Sequence, residues 1–318
     1  MVVDYKQMMG YLNDIDLPVY ICGHINPDQD SICSSLALME YLKSKGKDVN
    51  VLLLTEDYYE IDWLGDKSGI TNTVAKKDYA FIMVDMNESK RLGSFKTYFN
   101  NAKLTFNIDH HEENKFEADY TLSIPEISST CEMVYNIFVD DKDFVFSNKI
   151  CDLLYAGILS DSHSFNGRLT GETMIIAGNL IKNGARHKYI ADQTFKKRTW
   201  YQMRALAKII NEVKYDEFYY VSVDMSKQEY KDLTYNQLMK QIAEDIKAID
   251  DISVFLLMIK YPEKIVAKIT SKLPVTADKI AKIFGGGGHK KGAGFTVMDK
   301  KEDEIVSDIK AFLKLNGF

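Results

Sequence analysis

PVYICGHINPDQDSICSSLALMEYLKSKG, residues 18–46, passes through three patterns in succession. Pro18–Cys22 is a short apolar run of strand type, and 23–30 is a polar loop. A helical apolar pattern opens at Ser31 and closes at Gly46, where a glycine suits the left-handed position past a helix end. Strand, loop and helix in this order make the first part of a βαβ unit. The same alternation continues downstream. Asp48–Leu54, Tyr79–Val84 and Lys103–Ile108 read as strands, and Asp119–Ile124 reads as an edge strand. Amphipathic helices are expected over about 127–139, 148–159 and 170–182. Strands alternating with helices imply an α/β fold, here a mostly parallel, doubly wound sheet with helices on both faces.

A charged helical stretch then separates this half from a second one. The expected division is a catalytic domain at 1–185, a helical connector at 186–213 and a smaller α/β domain at 214–318. In the smaller domain, strands are expected at Glu217–Val223, Ser253–Lys260, Lys264–Ile269 and Ala293–Val297. Helices are expected at about 226–249 and 276–284 and at the C-terminus.

Composition narrows the function. The chain has 318 residues, 46% hydrophobic and 27% charged, enough for two packed cores. A formal net charge of −6 argues against a surface that coats long nucleic acid. It does not argue against a small anionic substrate, since bound cations reverse the local sign. Cys22, Cys33, Cys131 and Cys151 form no CxxC pair and read as buried apolar residues, consistent with a reducing compartment. The N-terminal stretch has no signal-peptide character, and no apolar run is long enough to span a membrane. The expectation is a cytoplasmic protein without a membrane partner.

The acids and imidazoles fall at strand ends. His24, Asp28 and Asp30 follow the first strand, Asp85 ends FIMVD, Asp109, His110 and His111 end LTFNID, and Asp161 and His163 end the helix CDLLYAGILSD. In a parallel sheet these carboxyl ends share one edge, where open α/β folds bind ligands. A lone aspartate there is usually a helix cap, as Asp30 could be for the helix from Ser31, and a lone histidine is usually structural. Six such residues together are harder to explain that way. His24, Asp28, Asp30, Asp85, His110 and Asp161 bring four carboxylates and two imidazoles, and like charges so close resist ionising together. Two divalent cations would balance them, and a water bridging the pair would become a hydroxide nucleophile. Mixed nitrogen and oxygen donors favour manganese, cobalt or zinc over magnesium, and the lack of a nearby thiolate counts mildly against zinc, so two manganese ions are the expected cofactor.

A second signal is the run Gly285–Gly288 before His289, Lys290 and Lys291. Consecutive glycines let backbone N–H groups curl into an anion-binding nest, and the basic residues add charge.

The segments GHINPDQDSI, VDMNESKRLG, IDHHEEN and GILSDSHSF resemble, in order, the four motifs of the DHH phosphoesterase superfamily. GGGGHKKGAGF is similar to the glycine–histidine motif of its C-terminal companion domain, DHHA1. The resemblance spans nearly the whole chain. It implies that His24, Asp28 and Asp85 hold one metal ion, and that Asp30, Asp85, His110 and Asp161 hold the other. It implies that Asp109 orients an imidazole, that His111 acts as general acid, and that His289 reaches the phosphate across a cleft between the domains. Gly286, Gly287, Gly288, His163 and Lys272 are the further substrate-binding candidates. Small-nucleotide members usually carry a Ser-Leu-Arg-Ser-like strand; here Thr270 takes the arginine's place, and Lys268 or Lys272 could compensate.

The resemblance implies hydrolysis of phosphate esters in small nucleotides: short oligoribonucleotides, linear dinucleotides or adenosine 3′,5′-bisphosphate. A manganese-dependent inorganic pyrophosphatase is the alternative, although the phosphate clamp of that group is missing. A RecJ-like exonuclease would need a basic groove and an added module, and a non-catalytic sensor would have lost ligands. The sequence is compatible with a homodimer.

Overall fold

A computed structural model describes the chain except residues 55–61, 64–66, 112–113, 116, 197–198, 231–232, 234–241, 243–245 and 247–248, and except the side chains of 195, 196 and 289. The chain divides into two compact units, Met1–Lys197 and Arg198–Phe318.

In the first unit, six parallel strands run β1 (Val19–Cys22), β2 (Val49–Leu52), β3 (Ile70–Thr71), β4 (Ala80–Val84), β5 (Leu104–Asp109) and β6 (Tyr120–Ser123). Their order across the sheet is β3-β2-β1-β4-β5-β6, so the chain adds strands outward on one side of β1 and then, from β4, on the other. That switch point is where sheets of this kind open a crevice at the strand carboxyl ends. Alternate residues of each strand serve different cores. Val19, Ile21, Ala80, Ile82, Val84, Phe106 and Ile108 face one core, shared with helices α1 (Tyr5–Asn13), α2 (Gln29–Ser44), α4 (Thr130–Asp140), α5 (Asn148–Asp161) and α6 (Gly171–Lys182). Tyr20, Cys22, Phe81 and Met83 face the other, closed by Leu92 and Phe95 of a 3₁₀ turn and Phe99 of α3 (Lys96–Asn101). A period of two on a sheet covered on both faces explains the near-continuous apolar strands. All four cysteines are free and buried.

The strand and helix expectations of this unit are met to within a few residues, with differences that have physical reasons. Helix α2 begins before Ser31, because Asp28 and not Asp30 is its N-cap, accepting from the Ser31 amide at 3.2 Å. A capping carboxylate must reach an amide two or three residues on, and Asp30 is already inside the first turn. Helix α1, capped by Asp4 with Met8 and Leu12 buried, was not foreseen. Strand β3, two residues long, is too short to show a pattern.

The stretch expected as a connector is divided between the units. Its first part, α7 (His187–Ala191), buries Ile190 in the first core, and α8 (Trp200–Asn211) buries Leu206 and Ile209 in the second. The second unit holds a sheet of order β11-β12-β10-β9-β8-β7. Its strands are β7 (Lys214–Asp216), β8 (Phe218–Asp224), β9 (Val254–Lys260), β10 (Ile265–Ser271), β11 (Gly287–His289) and β12 (Gly292–Val297). Among the described residues only β8 and β9 pair in parallel. Helices α9 (Ala277–Lys282) and α10 (Glu302–Leu315) pack on one face and α8 on the other. The helix expected over about 226–249 lies mostly outside the described residues.

The glycine run does not form a free nest. Gly287–His289 is a strand paired antiparallel with Gly292–Gly294, so Lys290 and Lys291 sit at a hairpin turn. A Cβ on Gly286 would stand 2.2 Å from the Gly294 carbonyl and 2.5 Å from Phe295 Cβ. Gly286→Ala should therefore lower the stability of the chain by about 1–3 kcal/mol, measured by denaturant unfolding of the purified protein. An unchanged midpoint would show that the hairpin is not packed this closely.

Candidate metal centre

Three loops leave the adjacent strands β1, β4 and β5 at one edge and deliver most of the candidate ligands. His24, Asp28 and Asp30 follow β1, Asp85 follows β4, and Asp109 ends β5 with His110 and His111 after it. Helix α5 brings Asp161 at its last residue. Asp85 turns into the site with φ +59°, a left-handed backbone that aspartate tolerates better than most residues.

Asp85 is the hub. Its Oδ2 lies 3.5 Å from His24 Nε2, and its Oδ1 lies 3.4 Å from His110 Nε2. The same His110 nitrogen is 3.5 Å from Asp161 Oδ2. Three overlapping sets of donor atoms each fit within 4.8 Å: His24 with Asp28 and Asp85, Asp30 with His110 and Asp161, and Asp85 with His110 and His111. All six candidate metal ligands are thus brought together, with Asp85 and His110 each serving two sets. Nitrogen and oxygen donors at this spacing fit divalent manganese and its neighbours. A sulfur does lie close, contrary to expectation: Cys131 Sγ is 3.7 Å from the Asp30 carbonyl. Burial, reinforced by the charge of Asp30, pushes its thiol well above the usual range. Its hydrogen bond is to that carbonyl, and none of the donor sets among the described residues includes the sulfur.

Four of the six candidates, Asp30, Asp85, His24 and His110, are held from behind. Asp30 is fully buried, and its two oxygens accept from the Thr130 amide at 2.7 Å and the Cys131 amide at 2.9 Å, in the first turn of α4. Thr130 Oγ1 donates to Asp85 Oδ1 at 3.1 Å. His24 Nδ1 faces the Ile25 carbonyl at 2.8 Å and His110 Nδ1 the Ile127 carbonyl at 3.4 Å, so each presents Nε2 to the site. The imidazole that Asp109 orients is His111: Asp109 Oδ1 takes its Nδ1 at 2.6 Å, while Asn114 holds the other oxygen at 2.8 Å. His163 is exposed, with φ +49°. Lys272 donates to the Ile249 carbonyl at 2.7 Å, a structural contact for a residue expected to meet substrate. The His289 side chain lies outside the description; its backbone pairs with Gly292.

Charge crowding shows in the proton affinities. Burial and the neighbouring Asp85 push Asp30 up to about 7. Burial and then the charge of Asp30 hold Asp161 well above the carboxylate range. Burial opposes ionisation of Asp85 too, but hydrogen bonds from His110 and His24 hold it well below that range. Burial disfavours a charged His110, yet the bond to Asp85 and the surrounding carboxylates raise it to about 10. His24 is raised for the same reasons.

Three contributors had gone unnoticed. Thr130 and Ser31, whose Oγ accepts from the His24 amide at 3.2 Å, carry no sequence signal beyond being small and polar. Gly157 had one. It is a glycine inside α5, a turn before Asp161, where alanine would be the better helix former. A Cβ there would lie 2.2 Å from Cys131 Sγ and 2.8 Å from Asp30 Oδ1.

The model of the DHH family N-terminal domain matches residues 18–158, and that of the DHHA1 domain matches residues 216–315. The chain therefore belongs to the DHH family, with a DHHA1 domain following. It is 22% identical to the bifunctional oligoribonuclease and PAP phosphatase NrnA of Thermus thermophilus, across 96% of this chain and 94% of that one. It is 29% identical to a probable manganese-dependent inorganic pyrophosphatase of Bacillus licheniformis, across 46% of this chain and 48% of that one. In fold it is similar to an exopolyphosphatase-related protein from Bacteroides fragilis, with a TM-score of 0.80 and 20% identity over 98% of this chain and 96% of that chain.

Two measurements probe the centre. His110, raised to about 10, holds a proton at neutral pH in the metal-free protein, and a bound cation must displace it. Manganese binding should therefore release protons and strengthen as pH rises from 6 to 8; calorimetry in buffers of different ionisation enthalpy reads both, and proton uptake would contradict this geometry. Gly157→Ala should weaken manganese binding by roughly tenfold or more by displacing Asp30. Wild-type affinity in equilibrium dialysis would show that α5 gives way instead.

Proposed function

We propose that this chain is a manganese-dependent phosphoesterase that hydrolyses phosphate esters in small nucleotides: short oligoribonucleotides, linear dinucleotides or adenosine 3′,5′-bisphosphate. The observation that carries the reading is the gathering of His24, Asp28, Asp30, Asp85, His110 and Asp161 at the β1–β4 switch point. His24, Asp28 and Asp85 would hold one ion, and Asp30, Asp85, His110 and Asp161 a second. Bound divalent cations supply Lewis acidity toward the phosphoryl oxygens and activate water near neutral pH.

The chain's own residues do the rest. Asp109 fixes Nδ1 of His111, so a proton passed to a leaving oxygen would travel through Nε2, in the role of general acid. The buried carboxyl of Asp109 keeps that ring in one orientation. In the second unit, His289, Lys290 and Lys291 on the β11–β12 hairpin are assigned the anionic groups of the substrate. Thr270 is buried in β10, paired with Gly292, and offers no cation there.

The choice of substrate is supported by the relative named as an oligoribonuclease and PAP phosphatase, because the match runs through both units. The pyrophosphatase match is higher in identity but covers less than half of this chain. No helix among the described residues is long and apolar enough to cross a membrane, and a cytoplasmic location is part of this proposal.

A manganese-supplemented panel separates the readings: a linear diadenylate, adenosine 3′,5′-bisphosphate, pyrophosphate and a long single strand. The first two should be hydrolysed, and Asp85→Asn should abolish this by orders of magnitude with the fold intact by circular dichroism. Turnover of pyrophosphate alone would overturn the proposal in favour of the other reading.

A further inference from the structure

The segment 127–131 touches three of the proposed ligands. The Ile127 carbonyl meets His110, Thr130 Oγ1 donates to Asp85, and the Thr130 and Cys131 amides hold Asp30. Those contacts place the ligands only if the segment itself is fixed. Glu132, the next residue along, does this. It is 1% exposed, and its Oε2 accepts from the Ser128 amide at 3.2 Å, Ser128 Oγ at 2.6 Å and Thr173 Oγ1 at 2.9 Å. Thr173 belongs to α6, where it also forms the capping box with Thr170. One carboxyl oxygen thus ties the ligand-bearing turn to a separate helix.

The other oxygen of Glu132 is buried and has no hydrogen-bond partner among the described residues. An unmatched buried acceptor weakens a fold, and an apolar side chain in its place would avoid that cost. Stability alone therefore does not account for a carboxyl group at this position. We propose that Glu132 is a positioning residue that sets metal affinity by clamping the 127–131 turn against Asp30, Asp85 and His110. This role rests on the metal-centre reading above.

The test compares Glu132→Leu with Glu132→Gln. Glutamine keeps a carbonyl oxygen for the three donors; leucine keeps none. With free manganese read by electron paramagnetic resonance, the leucine variant should bind about 10–100-fold more weakly and the glutamine variant within about threefold of wild type. Saturating manganese should restore turnover of the leucine variant, which a general loss of packing would not allow. In the metal-free protein, amide hydrogen exchange across 127–131 should quicken in the leucine variant only. A leucine variant that melts early but binds manganese like wild type overturns the inference. Should it fail to fold, Ser128→Ala, which removes one of the three donors, carries the test: severalfold weaker binding supports the clamp, and unchanged affinity refutes it. If wild type itself binds no manganese, the metal-centre reading falls, and the exchange comparison still judges whether Glu132 fixes the turn.

Discussion

Gathering negative charge in a dry place is the constraint around which the first unit is built. Asp30 and Asp109 are fully buried and Asp85 is 3% exposed, all at one sheet edge with Asp28 and Asp161 alongside. Carboxylates in that arrangement repel each other and lose hydration, so they ionise together only with compensating positive charge. Without cations the protein compensates with protons: His24 and His110 become more basic, and Asp30 and Asp161 become weaker acids. Asp85 alone stays strongly acidic, because both imidazoles point at it. The pattern of raised and lowered groups around one shared carboxylate is what a dication pair would replace.

Local backbone dipoles do much of the holding. Asp30 sits on the first amides of α4, where a helix presents unpaired N–H groups and partial positive charge. Asp28 caps α2 and still contributes an oxygen to the set containing His24. A cap and a ligand are therefore not competing readings of Asp28; the helix start fixes the carboxylate that the site uses. Gly157 completes the arrangement from α5 by leaving out a side chain that would occupy the space of Asp30. The site thus relies on two helix starts, one helix interior and three strand ends, and the sheet order brings the strand ends side by side.

The second unit follows different rules. Among the described residues its sheet is antiparallel apart from β8–β9, and its glycine–histidine run is a tight hairpin rather than an open loop. Glycine at 286 and 288 lets two backbones approach more closely than any side chain would permit. The basic residues Lys290 and Lys291 are carried on the turn of that hairpin.

The sequence by itself determined the alternation of strands and helices in the first unit, because apolar runs between polar turns leave few other solutions. It also determined which acids and imidazoles stand at strand ends, since strand periodicity locates those ends within a residue or two. It could not show α1, β3 or β7, whose patterns are weak or too short, nor the division of the 186–213 stretch, which depends on what each half packs against. Only the tertiary structure decided that Asp28 rather than Asp30 caps α2, that Asp109 bonds to His111, that Lys272 donates to the Ile249 carbonyl, and that Thr130 and Gly157 adjoin the buried aspartates. Those assignments rest on distances between residues far apart in the chain, as when Asp30 meets Thr130, and no local pattern encodes such a meeting.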